Sequence, residues 1–225
     1  MTKNLSPTDL TTITSVTLNH YEKNAENFWE GTKDHDVQQN YKALLDAMPQ
    51  RPGLKILDFG CGPGRDLIYF KSQGHLPTGL DGSAAFCEMA SEKSHCPVWH
   101  QNFLHLNLPV GFFDGVFANA SLFHIPQQEL VRVLSQLHTT LVPEGILFSS
   151  NPRGNAEGFS GERYGSYFEF ETYENYLNEA GFVPVRHYYR PAGLPRAEQP
   201  WLAVVSKKRG VDPSQTKGSE TEIQK

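Results

Sequence analysis

Apolar positions along the chain change period several times, and each change marks an element. Val37, Tyr41, Leu44, Leu45 and Met48 recur at helical spacing until residues 49–53, rich in Pro and Gly, break the pattern. Leu54, Ile56 and Leu57 suit a strand buried on both faces. Residues 65–73 read as a helix ended by Gly74 and 75–80 as a strand closing on Asp81, followed by a helix with Phe86, Met89 and Ala90 on one face. Residues 97–100 and 113–118 read as the next two strands. Leu130, Leu134, Leu137 and Leu141 define the most regular helix, over 126–141, and 146–150 reads as a fifth strand. A helix over 172–180 stops at Gly181, before strands near 182–189 and 201–206. This alternation predicts a doubly wound α/β fold, a mostly parallel sheet covered on both faces, with ligands at the carboxyl ends of the strands. The domain is expected over 20–208, with 20–50 as a helical lid, 1–19 as a flexible start and 209–225 as a disordered tail.

The first strand runs into Asp58-Phe59-Gly60-Cys61-Gly62-Pro63-Gly64-Arg65-Asp66. Glycines allow a tight turn and a close approach of backbone to ligand. The helix start that follows aims N–H groups at the ligand, and Asp66 suits the positive end of its dipole. A dinucleotide fingerprint needs a third glycine at position 65, which is Arg. Asp58 would also repel a pyrophosphate, and it suits a cation. Asp81 closes the second strand where a carboxylate can accept hydrogen bonds from both hydroxyls of a ribose, with Gly82 beside it.

Charge and composition narrow the partners. The 225 residues carry a net charge of −5, and their only basic run is Lys207-Lys208-Arg209, so no nucleic-acid-binding stripe is present. A small molecule is the expected substrate. Cys61, Cys87 and Cys96 have no zinc or disulfide spacing, which suits a reducing cytoplasm. No signal-peptide pattern opens the chain and no apolar run is long enough to span a bilayer, so a cytoplasmic location is expected. Asp34, His35 and Asp36 resemble a metal cluster in composition only, and no metal site is expected.

The motif Asp58-x-Gly60-x-Gly62-x-Gly64 resembles the first motif of the class I methyltransferases, whose donor is S-adenosylmethionine, a cation with a sulfonium and an ammonium. The resemblance implies a seven-stranded sheet whose last strand is antiparallel. It implies a cofactor site made of Asp58, Gly60, Gly62, Gly64, Asp81 and Gly82. In that class the position of Asn102 reads the adenine amino group and that of Phe103 covers the ring, although Asn102 also fits a simple Asx turn. Asn119 falls near the methionine ammonium. Arg65 either meets the methionine carboxylate or stands exposed in the helix's first turn.

Narrower segments carry a second resemblance. Tyr21 to Asp36, Ala118-Asn-Ala-Ser-Leu-Phe-His124, Ser150-Asn-Pro-Arg-Gly154, Gly161-Glu-Arg-Tyr-Gly165 and Tyr188-Tyr-Arg-Pro-Ala-Gly-Leu-Pro-Arg196 look like the methyltransferase domain of ovothiol biosynthesis. That domain methylates the side-chain nitrogen of 5-thiohistidine. It is usually fused to an iron-dependent sulfur-inserting enzyme that this chain does not resemble, so a separate sulfoxide synthase and lyase are implied. Methyl transfer from a sulfonium is an in-line displacement that needs positioning and no metal. The thiolate is the softer nucleophile, so the site must turn sulfur away from the methyl group. Asn119, His124 and Tyr21 are the candidate catalytic residues. Tyr21, Phe28, Trp29, Phe123, Asn151, Arg153, Arg163, Tyr164 and Tyr167 are candidates for holding the acceptor, with the arginines meeting its carboxylate. Packing or loop-anchoring roles are open for Phe28, Trp29, His124 and both arginines. The rival readings are another small-molecule acceptor, a nucleotide-binding oxidoreductase and a non-catalytic cofactor-binding module.

Overall fold

The computed structural model describes residues 4–210. Seven strands form one sheet in the order β3-β2-β1-β4-β5-β9-β8. They are β1 (Lys55–Phe59), β2 (Leu76–Asp81), β3 (Val98–His100), β4 (Phe113–Asn119), β5 (Leu141–Pro152), β8 (Phe182–Arg190) and β9 (Trp201–Lys208). β1 to β5 are mutually parallel and β9 runs antiparallel to both neighbours. The winding direction reverses between β1 and β4, which opens a crevice beyond their carboxyl ends.

Strand pleating explains the near-continuous apolar runs. Val116 and Ala118 pack with Leu134 and Leu147 on one face, while Phe117 and Phe148 pack with Leu44 and Ile56 on the other. Helix α3 (Gln38–Ala47) covers the second face, and α6 (Gln127–Thr140) and α7 (Phe170–Glu179) cover the first. Helices α4 (Arg65–Ser72) and α5 (Ala84–Ser94) connect β1, β2 and β3.

The N-terminal segment differs from the expectation. The expected flexible stretch 1–19 contains most of a helix, α1 (Pro7–Lys23), which begins with a capping box between Ser6 and Asp9. Leu10, Ile13 and Tyr21 pack inward at helical spacing, and polar contacts complete the docking. Thr17 accepts the Tyr164 N–H at 3.1 Å, and the Glu22 carboxylate accepts from Ser83 Oγ at 2.6 Å and from the Ala85 N–H. A short α2 (Ala25–Thr32) follows. The hairpin of β6 (Glu157–Ser160) and β7 (Arg163–Ser166) is a second addition, in a segment expected to be loop. The expected tail lies outside the described residues except for 209–210.

Candidate active site

A cavity of about 670 Å³ opens at the crevice, between the ends of β1, β2 and β4 and the roof made by α1 and α2. Its floor is the glycine loop. Gly60 and Cys61 N–H groups both bond the Leu80 carbonyl, at 2.8 and 3.1 Å, which ties the loop to β2. Gly60 has φ +78°, and a Cβ there would stand 2.4 Å from Ser121 Cβ. Gly64, with φ +95°, caps α4 and passes 2.8 Å from the Ala90 backbone as judged from a Cβ placed on it. Gly64 therefore serves helix packing and does not reach the cavity wall, contrary to its expected contact with a ligand. Gly62 does reach it, opposite Phe28.

Asp81 stands where a ribose-binding acid was expected. Its two carboxylate oxygens accept the Gly62 N–H (3.0 Å) and the Ser83 N–H (2.9 Å), and each keeps further acceptor capacity. Burial pushes its pKa up, against the pull of those N–H groups. Gly82 lies beside it on the wall, pressed so closely by Leu18 that a Cβ would meet that side chain at 2.6 Å. Asn102 and Phe103 also line the cavity. Asn102 Oδ1 accepts the Leu104 N–H at 2.8 Å in an Asx turn, and Phe103 stacks on Phe59 with centroids 4.3 Å apart.

Asp58 is a correction. The residue is 1% exposed, stays behind the loop and leaves Oδ2 without a partner, while its neighbour Asp66 reaches the wall. Burial first, then the nearby Asp66 charge, drives the Asp58 pKa well above the usual carboxylate range. Asp66 is held by the Tyr41 hydroxyl at 2.5 Å and by Arg65 at 2.7 and 3.1 Å. Arg65 lines the cavity, yet its guanidinium is already engaged by Asp66 and the Thr32 carbonyl. Asn119 reaches toward Asp66 (3.5 Å) and accepts from Asn40 (3.0 Å), whose own Oδ1 accepts from the Tyr188 hydroxyl (2.9 Å).

The acceptor end is aromatic. Tyr21 Oη lies 2.7 Å from His124 Nε2, and His124 Nδ1 lies 2.6 Å from the Tyr164 carbonyl. A carbonyl can only accept, so Nδ1 carries the proton and Nε2 receives the Tyr21 hydroxyl hydrogen. Burial pushes the His124 pKa down to about 4, so the ring is neutral at pH 7. Tyr21 is edge-on to Phe28, and its pKa is raised by burial against an opposing hydrogen bond from Arg163. Phe28, Trp29, Phe123 and Arg163 all reach the wall.

Four expected acceptor residues do not. Arg153 donates to the Gln199 and Arg196 carbonyls (3.1 and 2.7 Å) and faces Glu169, which anchors the loop before β9. Asn151 accepts the Phe123 N–H at 3.1 Å, and so supports the wall from behind. Tyr164 is buried and contributes its carbonyl, whereas Tyr167 packs beside Phe123. Conversely, Arg190 and Trp201 line the cavity and had not been singled out. Arg190 belongs to the 188–196 segment noted for its resemblance, but only the β8–β9 pairing shows where its side chain ends. His35 and Asp36 line the cavity, and among the described residues no three His, Cys, Asp or Glu side chains are placed to share a metal ion.

Residues 56–145 match a family described as "Methyltransferase domain" (Methyltransf_25). Fold and matched domain together define the class, the class I S-adenosylmethionine-dependent methyltransferases. The chain is 26% identical over 149 residues to an uncharacterized methyltransferase of Anoxybacillus flavithermus, covering 63% of this chain and 70% of that protein. It is 27% identical over 180 residues to the 27-O-demethylrifamycin SV methyltransferase of Amycolatopsis mediterranei, covering 69% and 65%. Across other curated relatives the chain spans between 31% and 60% of the matched protein. Among solved structures, the 1,6-didemethyltoxoflavin-N1-methyltransferase of Burkholderia thailandensis, with bound 1,6-didemethyltoxoflavin and S-adenosylhomocysteine, superposes with a TM-score of 0.74. It covers 93% of this chain and 94% of that one at 22% identity, a likeness of fold.

Proposed function

We propose that this protein transfers the methyl group of S-adenosylmethionine to the π nitrogen of the 5-thiohistidine imidazole, giving ovothiol A. One observation carries this reading. Segments 21–36, 118–124, 161–165 and 188–196, which bear the narrower resemblance, each place side chains on the wall of the one cavity that also holds the glycine loop and Asp81. Segment 150–154 supports that wall through Asn151.

The donor end suits the donor's chemistry. Asp81 faces the ribose hydroxyls, Gly62 allows close backbone approach, and Asn102 and Phe103 take the adenine. Asp66 and Asn119 meet the methionine ammonium, with Asp58 adding negative potential from behind the loop. The donor supplies an electrophilic methyl carbon on a sulfonium.

At the acceptor end, the tautomer of His124 decides what Tyr21 can do. The Tyr21 hydrogen is committed to Nε2, so its oxygen faces the cavity as an acceptor. An acceptor imidazole that donates its N–H to Tyr21 presents the lone pair of its other nitrogen for in-line attack. Tyr21 thereby selects the reactive tautomer, while His124 orients the hydroxyl. The methylated ring keeps its N–H as an imidazolium balanced by its own thiolate, so no proton need pass to His124. Phe28, Trp29 and Phe123 clamp the ring. Arg163, beside the Tyr21 hydroxyl, attracts the thiolate and keeps sulfur from the methyl carbon. Incubating the protein with S-adenosylmethionine and 5-thiohistidine, then locating the methyl group by NMR, tests the assignment. Methylation at sulfur, or no turnover, overturns it.

A further inference from the structure

Arg190 ends β8, and its side chain crosses β9 to reach Ser150 on β5, where a terminal nitrogen donates to Oγ at 2.9 Å. The guanidinium lies over the Trp201 ring, 5.5 Å from its centroid, and lines the cavity. Its Nε is buried without a hydrogen-bond partner, and among the described residues no carboxylate forms an ion pair with it. A half-buried cation with one donor buried and unused is costly unless an anion arrives. The titratable groups nearby are the Arg65 guanidinium, already engaged by Asp66, and the Tyr188 hydroxyl, neutral and turned toward Asn40.

Position tells which anion. Ser150 on β5 lies two strands from β1 in the sheet order, roughly 10 Å at the usual strand spacing, on the far side of β4 from Asp81. That is the acceptor side of Asn119. We propose that Arg190 is the anchor for a carboxylate on the acceptor, so the substrate class is a carboxylic acid carrying a nucleophilic ring nitrogen, such as an α-amino acid. This rests on the methyltransferase reading and deepens it. Arg163 is then left for the ring end of the acceptor, beside Tyr21.

The test uses the full chain saturated with S-adenosylhomocysteine, titrated with histidine and with histamine, which lacks the carboxylate. Wild type is expected to bind histidine at least 30-fold more tightly than histamine, the size of a charge-assisted hydrogen-bonded pair. Arg190→Gln is expected to shrink that ratio to within threefold and Arg190→Lys to restore part of it. In both variants the affinity for S-adenosylhomocysteine stays within threefold of wild type, which also shows that they fold. Equal binding of the two probes by wild type, no binding of either, or a ratio unchanged in Arg190→Gln overturns the anchor. Loss of S-adenosylhomocysteine affinity in Arg190→Gln reassigns the side chain to the donor's own carboxylate and equally overturns it. Failure of wild type to bind S-adenosylhomocysteine is a separate result that sinks the methyltransferase reading itself.

Discussion

Tyr21 Oη and His124 Nε2, from the roof helix and the turn after β4, lie 2.7 Å apart, and the direction of their hydrogen bond is dictated by a third group, the Tyr164 carbonyl. Tyr21→Phe removes the acceptor oxygen from the cavity while leaving the ring packed against Phe28 and Phe86. Turnover should fall about 100-fold, the scale of one hydrogen-bonding group that positions the reacting ring. Binding of S-adenosylhomocysteine should stay within about threefold, since Tyr21 leaves Asp81 and the glycine loop untouched. A comparable loss in both would assign Tyr21 to the donor.

Protonation of His124 sets an acid limit on the fold. Its folded pKa of about 4 lies below the ordinary 6.5, so the unfolded chain takes up the proton first. The stability contribution is fully present above about pH 6.5 and is lost as pH falls toward 4. His124→Gln cannot titrate, so the fall in Tm between pH 6.5 and 4 should be steeper in wild type than in the variant. Parallel curves would mean that His124 does not carry this proton.

Asp58 runs the other way. Its folded pKa is raised above the ordinary 3.8 by burial and by Asp66, so it costs stability as pH rises from the unfolded value through the folded one. Asp58→Asn keeps the shape and removes the charge. Tm at pH 8 should rise, and S-adenosylmethionine should then bind several-fold more weakly, with a smaller effect on S-adenosylhomocysteine, which lacks the sulfonium charge. Calorimetric titration of both ligands reads this difference.

Arginines and acids around the cavity should separate by ligand. Asp81→Ala removes the acceptor of the Gly62 and Ser83 N–H groups together with the proposed ribose contact. Cofactor affinity should drop by at least about 100-fold, as expected for two charge-assisted hydrogen bonds. Arg163→Ala should mainly raise the acceptor KM. Arg153→Ala should lower Tm with little change in either ligand's binding, because its partners are loop carbonyls and Glu169.

Two glycines of one loop should respond differently to alanine. At Gly60 the new Cβ collides with Ser121 Cβ and adopts a left-handed φ, so a loss of roughly 3 kcal/mol is expected from strain plus overpacking. At Gly62 the nearest atom is 3.7 Å away, on Phe28, and only the φ penalty of about 1 kcal/mol applies. Denaturant melts of the two variants should differ accordingly. Equal losses would show that the loop relaxes away from Ser121.

Elements with a strong period were legible because burial on one or two faces forces that period into the sequence. Helix α6 was expected over 126–141 and runs Gln127–Thr140, and the strand closing on Asp81 lies where the apolar run placed it. Helix α1 was missed because its inward face, Leu10, Ile13, Thr17 and Tyr21, is interrupted by a polar residue and set in a Thr-rich run, so its period is weak. The β6–β7 hairpin escaped notice for a related reason, a glycine-rich, mostly polar run being equally fit for loop.

By itself the sequence determined the α/β alternation, the glycine loop at the first strand's end, the acid closing the second and a donor that is a cation rather than a pyrophosphate. Those features are local, set by side-chain period, backbone freedom and charge within a dozen residues. Tertiary structure decided which acid and which arginine face the cavity. Asp66 replaces Asp58 there because helix α4 turns its first residues outward while β1 keeps Asp58 inside. Arg190 lines it and Arg153 does not, because the antiparallel pairing of β9 with β5 and β8 brings the end of β8 back over Ser150. Direction across a sheet is a long-range property, and residue type at a position does not encode it.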